Sequence, residues 1–123
     1  MPNDDRQPMT PAEYYAAKWE LEGEFHGYVT HTSGRRTHEH NAEVGGHPDS
    51  KHLIGMADDY KLTNFNNPEN RSALGALATM LGFWWKPYEW GIHIQGLPRG
   101  DIPEWWRAKY LPDYWGQDAS EPV

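Results

Sequence analysis

Three residues spread through the middle and later part of the chain carry the donor atoms of a metal site. His52 and Asp59 stand seven positions apart in Ser50-Lys-His52-Leu-Ile-Gly55-Met-Ala57-Asp58-Asp59. His93 lies in the apolar setting Trp90-Gly-Ile-His93-Ile-Gln95. Two imidazoles and one carboxylate suit zinc, and three protein donors leave the fourth tetrahedral position open for a water that the ion acidifies. The chain has seven His and no Cys, so any metal must be held by imidazole and carboxylate, and chance trios are common. Spacing alone leaves a metal centre and a set of structural histidines both open.

The remaining polar residues divide by position. Asp58 and Asp59 are neighbours, so on a strand they point to opposite faces, and Asp58 is expected on the solvent side. His38 and His40 flank Glu39 and are assigned to structure or surface, as Arg35 is to a solvated surface. His47 is the spare histidine best placed to approach the site, and His26 and His31, at the ends of a short β-rich run, receive no function.

Two segments carry a family resemblance. Ser33-Gly34-Arg35-Arg36-Thr37-His38-Glu39-His40-Asn41-Ala42-Glu43-Val44-Gly45-Gly46 resembles the "SGYRSPEHNxxVGG" segment of zinc D-Ala-D-Ala carboxypeptidases and phage L-Ala-D-Glu endolysins. Ser50-x-His52-x-x-Gly55-x-Ala57-x-Asp59 is similar to their "SxHxxGxAxD", and His93 stands where they have a second His. The resemblance covers about residues 33–100. The superfamily includes the vancomycin-resistance dipeptidases and the hedgehog signalling domain.

This resemblance implies one zinc ion on His52, Asp59 and His93. It implies that Arg36 stabilises the oxyanion of a cleaved amide, as an always-charged fork of donors can. It makes Ser50 a substrate-side hydrogen-bonding group, Gly55 a tight turn between two ligands, and Ala57 a small residue beside the metal. The family's general base lies three positions before the last His, where this chain has Trp90. Glu89 lies four before, and is expected to serve only if Gly91 makes a kink or bulge that brings it in. Gln95 replaces an acid common two positions after the last His. The implied function is hydrolysis of peptide bonds in peptidoglycan stem peptides. The alternative is an inactive, zinc-stabilised binding or structural module of the same fold.

These residues need a scaffold. Thr10-Pro11-Ala12-Glu13 predicts a capping box opening a helix to Glu22, ended by Gly23, with Tyr15 and Trp19 on its core face. Residues 26–32 and 56–61 predict strands, 38–45 a helical stretch, 47–51 and 62–69 loops, and 70–81 a helix with Leu74, Leu77 and Leu81 on one face. Residues 83–96 predict a hairpin or two strands, and 104–110 a short helix. The sum is a small α+β domain whose central, mainly antiparallel sheet carries the zinc site, with helices packed against it. Its expected limits are residues 10–115, between tails at 1–9 and 116–123.

Composition narrows the partners. At 123 residues the chain fits one domain, and its 37% apolar content, with 12 Gly, is in the globular range. The 7 Trp, 7 Tyr and 3 Phe must supply much of the burial, with at least half of the Trp expected in the core. A net charge of −7 disfavours nucleic acid and anionic membranes. No apolar run reaches the length of a membrane span, and the N-terminus lacks the pattern of a signal peptide. A cytoplasmically synthesised monomer is therefore expected, reaching the cell wall through lysis-linked release or carried on a virion.

Overall fold

The computed structural model describes residues 7–34, 55–98 and 102–110. The predicted 38–45 helical stretch, the 47–51 loop, and Ser50, His52, Arg35, Arg36, His38, His40 and His47 lie outside the described residues.

Helix α1 spans Pro11–Glu24 and opens as its sequence dictates. The Thr10 hydroxyl accepts from the Glu13 N–H at 3.0 Å, and the Glu13 carboxylate accepts from the Thr10 N–H at 2.9 Å, satisfying two otherwise orphaned donors. Gly23 does not end the helix. The chain turns beyond it, capped at Phe25, with Gly27 at a φ of +86°. The fully buried face is Pro11, Tyr14 and Leu21; Tyr15 packs half-buried against the core beside it, whereas Trp19 does not. Trp19 is 75% exposed, because the i, i+3, i+10 stripe turns it outward.

Strands β1 (Val29–Ser33), β2 (Ala57–Leu62), β3 (Trp84–Tyr88) and β4 (Gly91–Gln95) form one antiparallel sheet in the order β1-β2-β4-β3. Helix α2 (Pro68–Met80) joins β2 to β3 and is capped by Asn67, whose side chain accepts from the Asn70 N–H at 2.8 Å. Helix α3 spans Glu104–Tyr110. The α+β expectation holds, and the sheet is wholly antiparallel among the described residues.

Tyr60, Leu62, Ile92 and Ile94 meet Tyr14 and Leu21 of α1 and Leu74 and Ala78 of α2 in one buried cluster. Trp106 is fully buried and donates its indole N–H to the Met9 carbonyl at 2.8 Å, while the Met9 N–H donates to Gly96. The packed chain thus includes Met9, one residue ahead of the expected boundary. Trp106 is the one fully buried Trp among the described residues. Among the described Trp, Trp85 also packs half-buried against the core while Trp19, Trp90 and Trp105 are exposed, fewer in the core than expected because Tyr, Leu, Ile and Met side chains fill most of it.

Gly91 marks the closest approach in the sheet. A Cβ there would overlap the Tyr60 carbonyl oxygen and stand 2.9 Å from Lys61 Cα, so only glycine lets β4 lie against β2. Gly91→Ala is expected to destabilise the fold by about 3 kcal/mol or more, because backbone cannot step aside as a side-chain tip can. By contrast, a Cβ at Gly23 meets nothing within 4 Å, so Gly23→Ala inside α1 is expected to stabilise by roughly 0.5–1 kcal/mol. Urea denaturation of both variants checks the pair, and equal midpoints would refute the close-approach account.

Candidate functional site

The sheet register brings two of the three expected ligands together. Asp59 of β2 is the direct cross-strand neighbour of His93 of β4. Asp59 Oδ1 lies 2.8 Å from His93 Nδ1. Both side chains are half-buried, on the sheet face opposite Tyr60, Ile92 and Ile94. Just ahead of the two strands' pairing, Gly55 takes a φ of +73°, the left-handed turn expected between His52 and Asp59. Ala57, on the face of Asp59, is fully buried. Beside Asp59 the β1 register shifts between His31 and Ser33, and this bulge sets Ser33, the first residue of the first motif, opposite the candidate ligand.

His93 has a second partner that sequence reasoning missed. Gln95 Oε1 lies 2.8 Å from His93 Nε2, and the Gln95 amide N–H donates to the Leu97 carbonyl at 2.7 Å. That second bond turns the amide oxygen toward the ring, so Nε2 carries the hydrogen it donates. Nδ1 and the Asp59 carboxylate oxygen then face each other as two acceptors that need a proton or a cation between them. Those are the donors a zinc ion takes, with an outer hydrogen bond fixing the imidazole tautomer. The residues therefore fit the ion. Gln95 sits two positions along the strand from His93, on the same face, which is the signal that could have found it.

Glu89 is not brought to this pair by a kink. The pairing runs through Gly91 without a shift, to Lys61 on one side and Tyr88 on the other. Glu89 and Trp90 form the two-residue turn of the β3–β4 hairpin, and the Glu89 carbonyl accepts from the Asn66 amide at 3.0 Å. The special need for glycine at 91 is the close approach to β2, not a bulge. Among the described residues no three His, Asp or Glu side chains stand together as a metal cage.

Asp58 overturns its expected solvent exposure. It points to the opposite face from Asp59, as alternation requires, but that face lies under α1, and Asp58 is 2% exposed. Its carboxylate accepts from the Tyr14 hydroxyl at 2.6 Å, meets the Lys18 ammonium at 3.3 Å, and lies 2.6 Å from His31 Nε2. A Cβ at Gly34 would stand 2.9 Å from Asp58 Oδ1, so glycine in the first motif leaves room for this cluster.

Burial, then the charge of Asp58, holds the Tyr14 hydroxyl well above the usual phenol range. Burial and the hydrogen bond to Glu22 raise Tyr60 likewise. Above about pH 10 an unfolded chain releases these protons while the folded chain keeps them, so stability falls as pH rises. Tyr14 alone contributes a slope of about 1.4 kcal/mol per pH unit, and Tyr60 steepens it. Melting temperature is expected to drop steeply from pH 10 to 12, with the share of the tyrosinate absorbance that belongs to Tyr14 and Tyr60 appearing only as the fold is lost. Smooth titration of all tyrosines in the folded state would contradict this.

No helix among the described residues is long and apolar enough to cross a membrane. Searches of curated proteins and of solved structures returned no match. A family model described as Peptidase M15 matches residues 7–94, a span holding β1 to β3, β4 as far as Ile94, the Asp59–His93 pair and both sequence motifs, and the chain belongs to that peptidase family.

Proposed function

We propose that the protein is a zinc peptidase that hydrolyses peptide bonds in the stem peptides of bacterial peptidoglycan, as a D-Ala-D-Ala carboxypeptidase or an endolysin-type endopeptidase. Membership of a peptidase family supports hydrolysis. The observation that carries the metal is the facing Asp59–His93 pair, with Nε2 of the imidazole committed to Gln95. His52 is the third ligand in this proposal. Zinc, when bound, supplies an acidified water and a Lewis acid for the scissile carbonyl. Arg36 offers its permanently charged guanidinium to the carbonyl oxygen as negative charge builds there. Ser50 hydrogen-bonds the substrate. Glu89, from its place in the β3–β4 turn, is the proposed carrier of the proton from the attacking water to the leaving amine. The protein works as a monomer at the cell wall, after lysis-linked release or from a virion.

The place of Glu89 in the turn favours a second reading, an inactive zinc-stabilised binding module. Zinc-loaded protein is incubated with purified muropeptides and the products are read by mass spectrometry. The expected result is one defined stem cleavage, lost in His52→Ala and in Glu89→Gln. Cleavage retained by Glu89→Gln would remove Glu89 as the base. No cleavage by protein that contains one zinc would leave the binding module.

A further inference from the structure

The hairpin of β3 and β4 carries two stacked aromatic rings beside the ligand pair. Tyr88 lies two positions along β3 from Lys86, whose cross-strand neighbour is His93, so Tyr88 shares the sheet face of Asp59 and His93. Trp90 folds back over Tyr88, with ring centroids 4.7 Å apart and planes 5° from parallel. Each residue is 37% exposed, and Trp90 meets no other ring among the described residues, so its second face is the open surface of the stack. The backbone beneath is fixed. The Leu62 N–H donates to the Trp90 carbonyl at 2.8 Å, and the Asn66 amide donates to the Glu89 carbonyl at 3.0 Å. The polar ends of the two rings are uncommitted. The Tyr14 and Tyr60 hydroxyls and the Trp85 and Trp106 indole N–H groups all donate to protein acceptors, whereas the Tyr88 hydroxyl and the Trp90 indole N–H have none among the described residues. An exposed aromatic pair that is stacked, anchored and next to a candidate ligand differs from the singly scattered apolar residues of an ordinary surface.

We propose that the Trp90–Tyr88 stack is a sugar platform, holding a pyranose ring of the glycan strand while the peptide stem attached to that sugar reaches the Asp59–His93 pair. This deepens the peptidase reading and rests on it. A pyranose presents a flat face of C–H groups with hydroxyls around its edge. It therefore matches a flat apolar ring whose N–H, and whose neighbour's O–H, are free at the rim. The Ala, Glu and Lys residues of a stem peptide offer methyl groups, flexible chains and charges, none of which covers a flat ring. A sugar ring is neutral, so the net charge of −7 does not oppose its approach. The Lys86 ammonium, 5.5 Å from the Tyr88 ring centroid, adds a donor beside the stack. Both rings are in place before binding, so little conformational freedom is lost when a sugar docks. Two strand positions span roughly 7 Å, which leaves the stem of a docked sugar within reach of the pair.

The test uses zinc-loaded full chain and three probes: the neutral disaccharide N,N′-diacetylchitobiose, a free stem pentapeptide, and the same stem joined to its glycan disaccharide. Chitobiose is expected to shift the NMR signal of the Trp90 indole N–H and leave that of Trp105, an exposed Trp on α3, in place. Hydrolysis is expected to show a KM about fivefold lower for the sugar-linked stem than for the free stem, the size of one added ring stack. The preference should hold at high salt, because the sugar is neutral. Trp90→Ala is expected to melt as wild type, to cleave the free stem as wild type does, and to show equal KM for the two stems. Trp90→Phe should keep part of the preference and Trp105→Ala all of it. An unmoved Trp90 signal with equal KM in the wild type would overturn the platform alone. A preference that survives in Trp90→Ala would assign the sugar to another group, and one that fades with salt would assign it to the charge of Lys86; either overturns the stack. A Trp90 shift with no hydrolysis of either stem would overturn the peptidase reading alone, and neither shift nor hydrolysis would overturn both.

Discussion

Protein carrying His93→Ala is expected to bind zinc more than about 100-fold more weakly than wild type and to lose roughly 10³-fold or more of its peptide cleavage. The first figure is a lower bound by comparison. Removing only the outer hydrogen-bond partner of a metal-bound imidazole costs about 10–100-fold in affinity, and this substitution removes the imidazole itself. The second follows from the several kcal/mol by which a metal stabilises charge in amide hydrolysis, at a factor of ten for each 1.36 kcal/mol. A third consequence is thermal. A ligand present at 1,000 times its Kd stabilises the folded state by about 4 kcal/mol, so a chelator should lower the wild-type melting temperature by several degrees and leave that of the variant unchanged. Isothermal titration with zinc, metal analysis and a melting curve with and without chelator check all three. His26→Ala, an exposed position on the turn after α1, is the control and should behave as wild type. Undiminished zinc affinity in His93→Ala would show that the facing Asp59 and His93 are a structural ion pair.

How much of this was legible in the sequence depended on whether the determining interaction was local. The Thr10–Glu13 capping box was legible because its four atoms lie within four residues, and it forms as read. Strand β2 was legible from alternation, and alternation correctly put Asp58 and Asp59 on opposite faces. It could not say which face lies under a helix. The assignment of Asp58 to solvent failed there, because Tyr14 and Lys18, the groups that make its burial tolerable, come from a segment some forty residues away. Trp19 failed in the same way, since an aromatic residue at helical spacing is placed in the core only if the neighbouring sheet stands on that side. Gly91 was legible as a special position for the wrong reason. Its sequence neighbours suggested a kink, whereas the demand comes from the Tyr60 carbonyl on another strand. The pairing of Asp59 with His93 was legible only through family resemblance. Residues 34 positions apart meet because a helix and a hairpin intervene to return the chain beside β2. The partnership of Gln95 with His93 was hidden because it depends on the Leu97 carbonyl to orient the amide.

The buried cluster beneath the ligand strand yields the other large effect. Asp58→Ala is expected to destabilise the protein by about 3–5 kcal/mol, the range for leaving one side of a buried charge pair without its partner. The substitution strips the acceptor from the Tyr14 hydroxyl, which is fully buried, and from the Lys18 ammonium, whose side chain is 17% exposed. Neither has room to recover its full hydration, so their desolvation remains without compensation. Asp58→Asn should lie between wild type and Ala, because an amide keeps an oxygen for Tyr14 but offers no charge to Lys18. The cluster also bears on the site. Asp58 and Asp59 are consecutive on β2, so three contacts on the buried face hold the backbone from which the ligand carboxylate projects on the other. Loss of those contacts should therefore weaken the proposed zinc binding as well, although Asp58 itself faces away from the Asp59–His93 pair. Urea denaturation of the zinc-free and zinc-loaded variants separates the two consequences. A larger stability loss in the zinc-loaded series than in the zinc-free one means that the cluster positions Asp59. Equal losses mean that it only supports the fold. A loss below about 1 kcal/mol in both would mean that water replaces the carboxylate at Tyr14 and Lys18, and the cluster would then be a solvated network rather than a buried one.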